Sequence, residues 1–284
     1  LKSVNIVLKA IPGKTTMPIL ECILIDASTN NIKFTANDME LGIETIVEGT
    51  ILEKGIVAID AKIFSDIIRK LPDNDVTIET DGNLTTTITC EKAKFSISGQ
   101  SGEEFSYLPY VERDNHIVVS QFTLKEVIRQ TIFSIAANEN NKMMTGELFE
   151  VKGDMLRVVS LDGHRISIRK IELKEEYSDI KVVVPGKTLS EVLKLLKDSE
   201  GEVEICPSRR HILFRIDNYT VISALLEGEF LDYKSALPKD KKTEVTVSTR
   251  TMIESVERVS LLITGRLKSP VRCLFDHDKV MLSA

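Results

Sequence analysis

The chain has 284 residues, of which 42% are hydrophobic and 28% charged, and its formal net charge is −6. These values are typical of a soluble globular protein with two or three domains. No apolar run approaches the roughly 20 residues of a membrane helix, and the first residues show no signal peptide. The negative charge disfavours non-specific nucleic-acid binding by the whole surface, but it does not exclude a local basic surface.

Taken in chain order, helical and strand patterns alternate. Residues 1–10 have the pattern of a helix, and polar–apolar alternation across 76–89, around Asp81-Gly82-Asn83, predicts a β-hairpin. Apolar residues at helical spacing predict further helices over 123–136 and 190–196. Short strands with turn signals connect them. This order predicts an α+β fold in which each domain has an antiparallel β-sheet layer backing two α-helices.

The chain repeats itself with a period of about 125 residues. Ile59–Leu71 aligns with Val184–Leu196, and Glu104-Phe105 aligns at the same spacing with Glu229-Phe230. A third copy begins near the end of the chain. The first copy lacks its opening strand and the third is cut short, so we expect a part of a longer protein. The predicted domains are 1–112, 113–240 and the beginning of a third at 241–284.

No motif for metal, cofactor or catalysis is visible. The cysteines at positions 22, 90, 206 and 273 form no CxxC pair, which argues against a zinc site and a disulfide framework and fits a reducing cytoplasm. The four histidines lack metal-ligand spacing, and no phosphate-binding glycine loop occurs. We therefore expect a cytoplasmic protein without cofactor, metal or catalytic residue.

The stretch Ser160–Ser167 concentrates polar chemistry between two strand patterns. Asp162, His164 and Arg165 suggest an acid, a base and a clamp, but no nucleophile accompanies them. A turn whose glycine takes a positive φ, with its polar side chains in water, explains the same residues. The first copy has Asn37-Asp38-Met39 at this position, without glycine, histidine or arginine. The second copy is therefore specialised here, and we interpret the stretch as a binding edge.

Cations recur at equivalent positions of the repeat. Loops at 13–18, 140–145 and 265–270 each carry a lysine or arginine, and Lys62 and Lys187 stand near the start of the second helix of each full copy. A run of charged residues usually indicates only a solvent-exposed face of the protein. Cations that recur with a repeat, however, suit phosphates presented at regular intervals.

Four stretches resemble the bacterial sliding clamps, the beta subunits of DNA polymerase III, and the resemblance spans essentially the whole chain. They are Lys14–Leu20, Ser160–Arg165, Val183–Lys187, and Gly228–Tyr233 with Leu237-Pro238. The resemblance implies repeated DNA-clamp domains, three per subunit, with two full-length subunits closing head to tail into a homodimeric ring around double-stranded DNA. It implies a non-catalytic processivity factor whose partners are the polymerase alpha subunit, the clamp loader and other proteins with clamp-binding motifs, and no membrane.

The resemblance also implies residue roles. The DNA contacts would be Lys14, Asn138, Lys142 and Lys187. The pocket for partner peptides, a cleft between the second and third domains, would be formed by Met144, Leu161, Gly163, His164, Arg165, Ile166, Pro238 and Val245. The ring interface would pair Phe95 and Ile97 of one subunit with Leu261 and Leu262 of the other.

Two interpretations that assign the protein to a different functional class stay open at this point. One is a repeat-built protein-interaction scaffold that does not bind DNA. The other is an enzyme whose site is formed by Asp162, His164 and Arg165. Retention on circular DNA distinguishes the scaffold from the clamp, and a turnover assay distinguishes the enzyme from both.

Overall fold

A computed structural model describes residues 1–113, 116–137, 141–238, 240, 243–261, 263 and 270–284. Its contacts divide the chain into two units, Leu1–Leu231 and Asp232–Ala284. Both combine helices with antiparallel strands, so the predicted α+β class is confirmed. Within the described ranges, no helix has the length and apolarity needed to cross a membrane.

The described residues of the first unit form four α-helices and thirteen strands. The helices are α1 (Lys2–Val7), α2 (Ala61–Lys70), α3 (Gln121–Thr131) and α4 (Gly186–Leu195). The strands are β1 (Cys22–Asp26), β2 (Ile32–Asn37), β3 (Leu41–Val47), β4 (Ile56–Asp60), β5 (Thr77–Thr80), β6 (Thr85–Cys90), β7 (Ala93–Ser101), β8 (Ile117–Ser120), β9 (Gly146–Leu161), β10 (Ile166–Pro185), β11 (Glu202–Pro207), β12 (His211–Ile216) and β13 (Tyr219–Ala224).

One antiparallel sheet of eleven strands runs through both copies of the repeat, in the order β5-β6-β7-β4-β1-β2-β3-β13-β12-β11-β8. The copies meet where β3 pairs with β13, in a register from Leu41 opposite Ser223 to Thr45 opposite Tyr219. The two long strands β9 and β10 form a separate hairpin sheet. Main-chain hydrogen bonds therefore join the first copy to the second.

The sequence repeat is also a structural repeat. Helix α2 begins at Ala61 and ends at Lys70, and α4 begins at Gly186 and ends at Leu195, which is the same spacing of 125 residues. Strands β3 and β10, which follow the equivalent turns, begin at this spacing as well. The α2 helix is capped by Asp60, whose side chain accepts a hydrogen bond from the Ile63 N–H at 2.7 Å.

The core explains why several strands have apolar residues on both faces. In β1, Ile23 and Ile25 belong to the main core, to which Val7 of α1 also contributes. Leu24, on the opposite face of β1, belongs to a second cluster with Phe105. Because alternate residues of a strand point to opposite faces, β1 is covered on both sides and shows a continuous apolar run.

The helix ends differ in detail from the sequence prediction. The helix predicted over 123–136 begins earlier, at Gln121, and its α-helical part ends at Thr131. The Thr131 hydroxyl donates to the Val127 carbonyl at 2.8 Å, a local bond that bends a helix, and a single 3₁₀ turn follows. The helix predicted over 190–196 begins at Gly186, directly after Pro185.

The second unit contains α5 (Tyr233–Ala236), α6 (Thr249–Ser260), β14 (Arg272–Asp276) and β15 (Lys279–Ser283). Strands β14 and β15 pair as an antiparallel hairpin. Ser248 caps α6 by accepting from the Thr251 N–H at 3.4 Å, as Ser120 caps α3 by accepting from the Thr123 N–H at 3.1 Å. Residues 245–248, which match β8 in sequence, are not a strand. β8 is held by pairing with β11, and the described part of this unit offers no such neighbour.

Candidate functional site

The turn between β9 and β10 is built around the carboxylate of Asp162. Its Oδ1 accepts hydrogen bonds from the backbone N–H groups of His164, at 3.0 Å, and Arg165, at 3.1 Å. Its Oδ2 accepts from Arg165 Nε at 3.0 Å. The backbone hydrogen bond from His164, followed by the contacts with Arg165, holds the pKa of the Asp162 carboxyl below its usual range. Asp162 is thus an anionic cap that fixes the turn and leaves the His164 and Arg165 side chains exposed.

This geometry argues against an acid–base pair in the turn. Asp162 binds the backbone N–H of His164, and its second oxygen is engaged by Arg165. General-base chemistry would instead need the carboxylate to orient the imidazole and a nucleophile within reach. Across the described residues, no three His, Cys, Asp or Glu side chains converge as a metal site.

Arg165 is also held by an aromatic ring. Its guanidinium carbon lies 5.6 Å from the centroid of the Phe133 ring, within the range of a cation–π contact. Phe133 belongs to the 3₁₀ turn after α3 and is 56% exposed. The adjoining Ser134 hydroxyl lies 2.7 Å from the hydroxyl of Ser167, two residues beyond Arg165. Sequence reasoning did not identify Phe133, because no spacing rule connects it to the turn.

The first copy has a simpler version of the same turn. Asp38 Oδ1 accepts from the backbone N–H groups of Glu40, at 3.0 Å, and Leu41, at 2.7 Å. The second turn, 162–165, is one residue longer than its equivalent between β2 and β3. Met39 has φ 74° where Gly163 has φ 87°, so both copies need the left-handed region at this point. Glycine occupies that region without the steric cost that methionine incurs.

A cleft of about 210 Å³ lies beside this first turn, within the first unit. Its walls include Met39 from the turn, Leu108 and Pro109 from the segment that leads to the second copy, and His211. Leu108 packs directly on the backbone of Gly42, where an added Cβ would lie only 2.0 Å from Leu108 Cδ2. The turn and the connecting segment thus form an open cleft at the junction of the first two copies.

The expected DNA-contacting lysines have different surroundings. Lys14 is exposed in the loop before β1, and Lys142 is exposed at the start of a 3₁₀ turn, Lys142–Thr145, before β9. Within the described ranges neither has a carboxylate partner. Lys187, near the start of α4, has its Nζ 2.5 Å from Asp38 Oδ2 of the first copy. Its side chain remains 61% exposed, whereas that of Asp38 is 6% exposed. Asn138 lies outside the described residues.

Other cations of the helices are neutralised locally. Arg129 pairs with Glu126 at 2.8 Å and Lys194 with Glu191 at 2.6 Å, each within one helical turn. Lys125 pairs with Asp198 at 2.8 Å. Not every helix cation is paired, since Lys62 and Lys70 of α2 have no carboxylate partner among the described residues.

The residues expected in the partner pocket differ in their exposure. Gly163, His164 and Arg165 are exposed on the turn, whereas Leu161 is 4% exposed and belongs to the interior. Met144 and Ile166 are half-buried. In the second unit, Pro238 is exposed and Val245 is exposed beside a cavity that Phe275 also lines. Membership of all eight residues in one pocket stays a prediction.

Among the residues expected at the ring interface, Phe95 and Leu261 are exposed and Ile97 is half-buried. Phe95 and Ile97 alternate along β7, so they share one face of the sheet. From Ala93 to Ser98, β7 pairs with β6, and its pairing with β4 covers only Gly99 to Ser101. In the second unit, Leu261 is 82% exposed at the end of α6, and Leu262 lies outside the described residues.

Sequence reasoning missed one buried group close to this region. Glu147, the second residue of β9, has no exposed surface, and neither of its carboxylate oxygens has a hydrogen-bond partner within the described chain. The nearby Thr131 hydroxyl donates to a main-chain carbonyl instead. Burial raises the pKa of the Glu147 carboxyl to about 8. The available signal was an acidic residue directly before the apolar pair Leu148-Phe149.

The sequence matches two models of known protein families. Residues 1–109 match the model described as DNA polymerase III beta subunit, N-terminal domain. Residues 118–232 match the model described as DNA polymerase III beta subunit, central domain. The match to the N-terminal domain thus precedes the match to the central domain along the chain.

Characterised relatives agree with these matches. The beta sliding clamp of Bacillus subtilis is 36% identical over 270 residues, which cover 92% of this chain and 71% of the relative. The beta sliding clamp of Staphylococcus epidermidis is 35% identical over 292 residues, which cover 100% of this chain and 78% of the relative.

Solved structures share the fold over nearly the whole chain. A protein from Eubacterium rectale described as a DNA polymerase III beta subunit has a TM-score of 0.97 and 59% identity, covering 99% of this chain and 77% of that protein. The Bacillus subtilis sliding clamp has a TM-score of 0.96 and 33% identity at the same coverage. A Pseudomonas aeruginosa clamp bound to griselimycin has a TM-score of 0.84 and 26% identity, covering 92% and 71%.

Proposed function

Because this chain belongs to the family of bacterial DNA polymerase III beta subunits, the beta sliding clamps, we propose which of its residues contact DNA, bind partner proteins and form the ring. Members of the family are non-catalytic processivity factors of DNA replication. The observation that supports our assignment of residues is the structural repeat, in which equivalent turns follow β2 and β9 and an exposed lysine precedes both β1 and β9. A ring holds DNA by enclosing it, so weak contacts with phosphates are enough and sliding remains free.

We propose that the exposed lysines of the loops before β1 and β9, Lys14 and Lys142, contact the DNA backbone, together with Lys187 and Asn138. Lys14 and Lys142 lack carboxylate partners in the part of the chain that the structure describes, so their charges are available to phosphate. Lys187 keeps more than half of its side chain exposed while Asp38 holds its ammonium group. It would therefore supply a positioned charge rather than a freely moving one.

We propose that partner peptides bind beside the turn 162–165. The pocket would combine Met144, Leu161, Gly163, His164, Arg165 and Ile166 with Pro238 and Val245. The cleft beside the equivalent turn of the first copy supports this proposal, because Leu108-Pro109 lines it and Leu237-Pro238 is the matching dipeptide of the second copy. The occupants would be short linear motifs of the polymerase alpha subunit, the clamp loader and other clamp-binding proteins.

We propose a head-to-tail homodimeric ring in which Phe95 and Ile97 meet Leu261 and Leu262 of the other subunit. The incompletely paired segment of β7 supports this assignment, since an open strand edge offers main-chain groups as well as apolar side chains. The clamp domains would be 1–112, 113–240 and 241–284, the last two meeting at the pocket. As a replication protein it would act in the cytoplasm.

The ring is tested by its dependence on DNA topology. The full-length protein is loaded onto circular duplex DNA by the clamp loader of the same organism, and retention is measured by gel filtration before and after linearisation. We expect the protein to stay on the circle and to be lost from the linear form. Equal retention on both templates contradicts the ring and favours a scaffold that does not enclose DNA.

The pocket is tested with Arg165→Ala. Because Arg165 is exposed and Leu161 is buried, the arginine variant separates binding from folding better than Leu161→Ala does. We expect about tenfold weaker binding of a fluorescent peptide carrying the clamp-binding segment of the alpha subunit, with an unchanged thermal midpoint. Lys152→Ala, on an exposed part of β9, is the control. Unchanged peptide affinity in Arg165→Ala removes this turn from the pocket.

A further inference from the structure

We propose that Phe133 is a positioning residue for partner binding, which holds the guanidinium of Arg165 in its binding orientation before a partner arrives. The inference rests on the proposed role of the turn 162–165. It adds a residue outside that turn, on the 3₁₀ segment Ile132–Ser134 after α3.

Two contacts hold Arg165, one with an aromatic ring and one with a carboxylate. The Phe133 ring faces the guanidinium with 5.6 Å between its centroid and Arg165 Cζ. Asp162 Oδ2 accepts from Arg165 Nε at 3.0 Å. Within the described chain, the terminal Nη nitrogens of Arg165 have no hydrogen-bond partner, so the donors that bind a carboxylate or a carbonyl remain available.

The chain segment around Phe133 is fixed by hydrogen bonds of its neighbours. The hydroxyl of Ser134, which is fully buried, lies 2.7 Å from that of Ser167 on β10. The backbone N–H of Ala136 donates to the carbonyl of Met144 at 2.8 Å. The segment that carries Phe133 is therefore attached to β10 on one side and to Met144, another proposed pocket residue, on the other.

The exposure of Phe133 is explained by this role. A phenylalanine that is 56% exposed contributes little to the core, since much of its apolar surface remains in water. Its ring nevertheless restricts a long side chain whose ordering on binding costs free energy. A contact that restricts Arg165 in the free protein reduces this cost when a partner binds.

The experiment uses the full-length protein and a fluorescent peptide carrying the clamp-binding segment of the alpha subunit from the same organism. Phe133→Leu keeps an apolar side chain of similar size and removes the ring, whereas Phe133→Tyr keeps the ring. An exposed cation–π contact corresponds to about a two- to fivefold change in affinity. We expect a loss of this size in Phe133→Leu and wild-type affinity in Phe133→Tyr. Phe122→Leu, at a 46% exposed phenylalanine of α3, is the matched control and keeps wild-type affinity.

A double-mutant cycle separates positioning from direct contact. Phe133→Leu should have no further effect on peptide affinity in an Arg165→Ala background, because no guanidinium remains to be positioned. An equal loss in both backgrounds means that Phe133 contacts the partner itself and overturns the positioning role. Unchanged affinity in Phe133→Leu alone also overturns it. If Arg165→Ala has no effect, the proposed pocket fails, and this outcome is distinct from a failure of Phe133 alone.

Discussion

At the scale of single residues, the buried carboxyl of Glu147 has the largest predicted effect on stability. Its pKa in the folded protein is about 8, compared with an ordinary value of 4.5. Between these values the folded state keeps a proton that the unfolded state has lost. Stability therefore falls as pH rises from about 4.5 to about 8, by at most about 1.4 kcal/mol per pH unit from this group.

Glu147→Gln removes this titration. We expect urea unfolding of the variant to show a flatter dependence on pH between 5 and 8, with its advantage over wild type greatest above pH 8. The control is Glu172→Gln on an exposed position of β10, which keeps the wild-type profile. Parallel profiles for wild type and Glu147→Gln would show that the carboxyl is solvated in solution.

The two equivalent turns allow a paired test of backbone strain. Met39 has φ 74° and is 58% exposed, so Met39→Gly relieves strain and sacrifices little buried surface. Gly163 has φ 87° with open space where a Cβ would lie, so Gly163→Ala adds strain without a clash. We expect Met39→Gly to stabilise the protein and Gly163→Ala to destabilise it, each by about 1 kcal/mol in urea unfolding. Gly13→Ala, at a glycine that also has open space but no positive φ, should change stability less than either.

Residue chemistry shows both the success and the limit of prediction from sequence. Asp162 and Gly163 predict a turn, because an aspartate cap and a glycine at positive φ are local requirements of such a turn. The contact of Phe133 with Arg165 joins positions 32 residues apart through packing of the 3₁₀ segment against β10, and no local pattern encodes that distance. The pairing of Lys187 with Asp38 was missed for the same reason, since it joins two copies of the repeat.

At the scale of elements, strand β7 provides a direct test of the proposed ring interface. Phe95 is 40% exposed and lies where β7 pairs on one side only, so Phe95→Asp should leave the fold intact while placing a charge in the interface. We expect the dimer to dissociate at least tenfold more readily in sedimentation equilibrium of the full-length protein. Tyr110→Asp, at an 88% exposed aromatic outside this strand, is the control. An unchanged dimer constant would remove β7 from the interface.

The elements themselves follow well from the sequence where their signals are local. Helix α2 has its aspartate cap, its apolar spacing and a proline after its end, all within one short stretch. The limits of α3 were predicted less accurately. The Thr131 hydroxyl donates to a helix carbonyl, and the chain then tightens into a 3₁₀ turn. Such a choice depends on the space beside β9 and β10, which the sequence does not reveal.

At the scale of the whole molecule, the acidic net charge and the small number of free loop lysines predict a weak DNA affinity, whose salt dependence is set by the number of phosphates contacted. Each lysine that neutralises one phosphate contributes about −0.9 to the slope of log K against log salt. We expect Lys14→Ala and Lys142→Ala each to reduce the steepness of that slope by about this amount, measured by fluorescence anisotropy on a short linear duplex. Lys9→Ala, at an exposed lysine of the 3₁₀ turn after α1, is the control. A slope unchanged in Lys14→Ala would show that its loop does not contact phosphate.

The ladder between β3 and β13 also determines how the chain unfolds. Five residue pairs connect the copies through main-chain hydrogen bonds, so the edge of one copy is satisfied only by the other. Residues 1–231 should therefore melt as one cooperative block, with a single calorimetric transition whose enthalpy matches the van't Hoff value. If the two copies were produced as separate fragments, the edges of β3 and β13 would be unpaired, and each fragment would be prone to aggregate. The sequence is thus organised in single copies, whereas the block that unfolds cooperatively contains two of them.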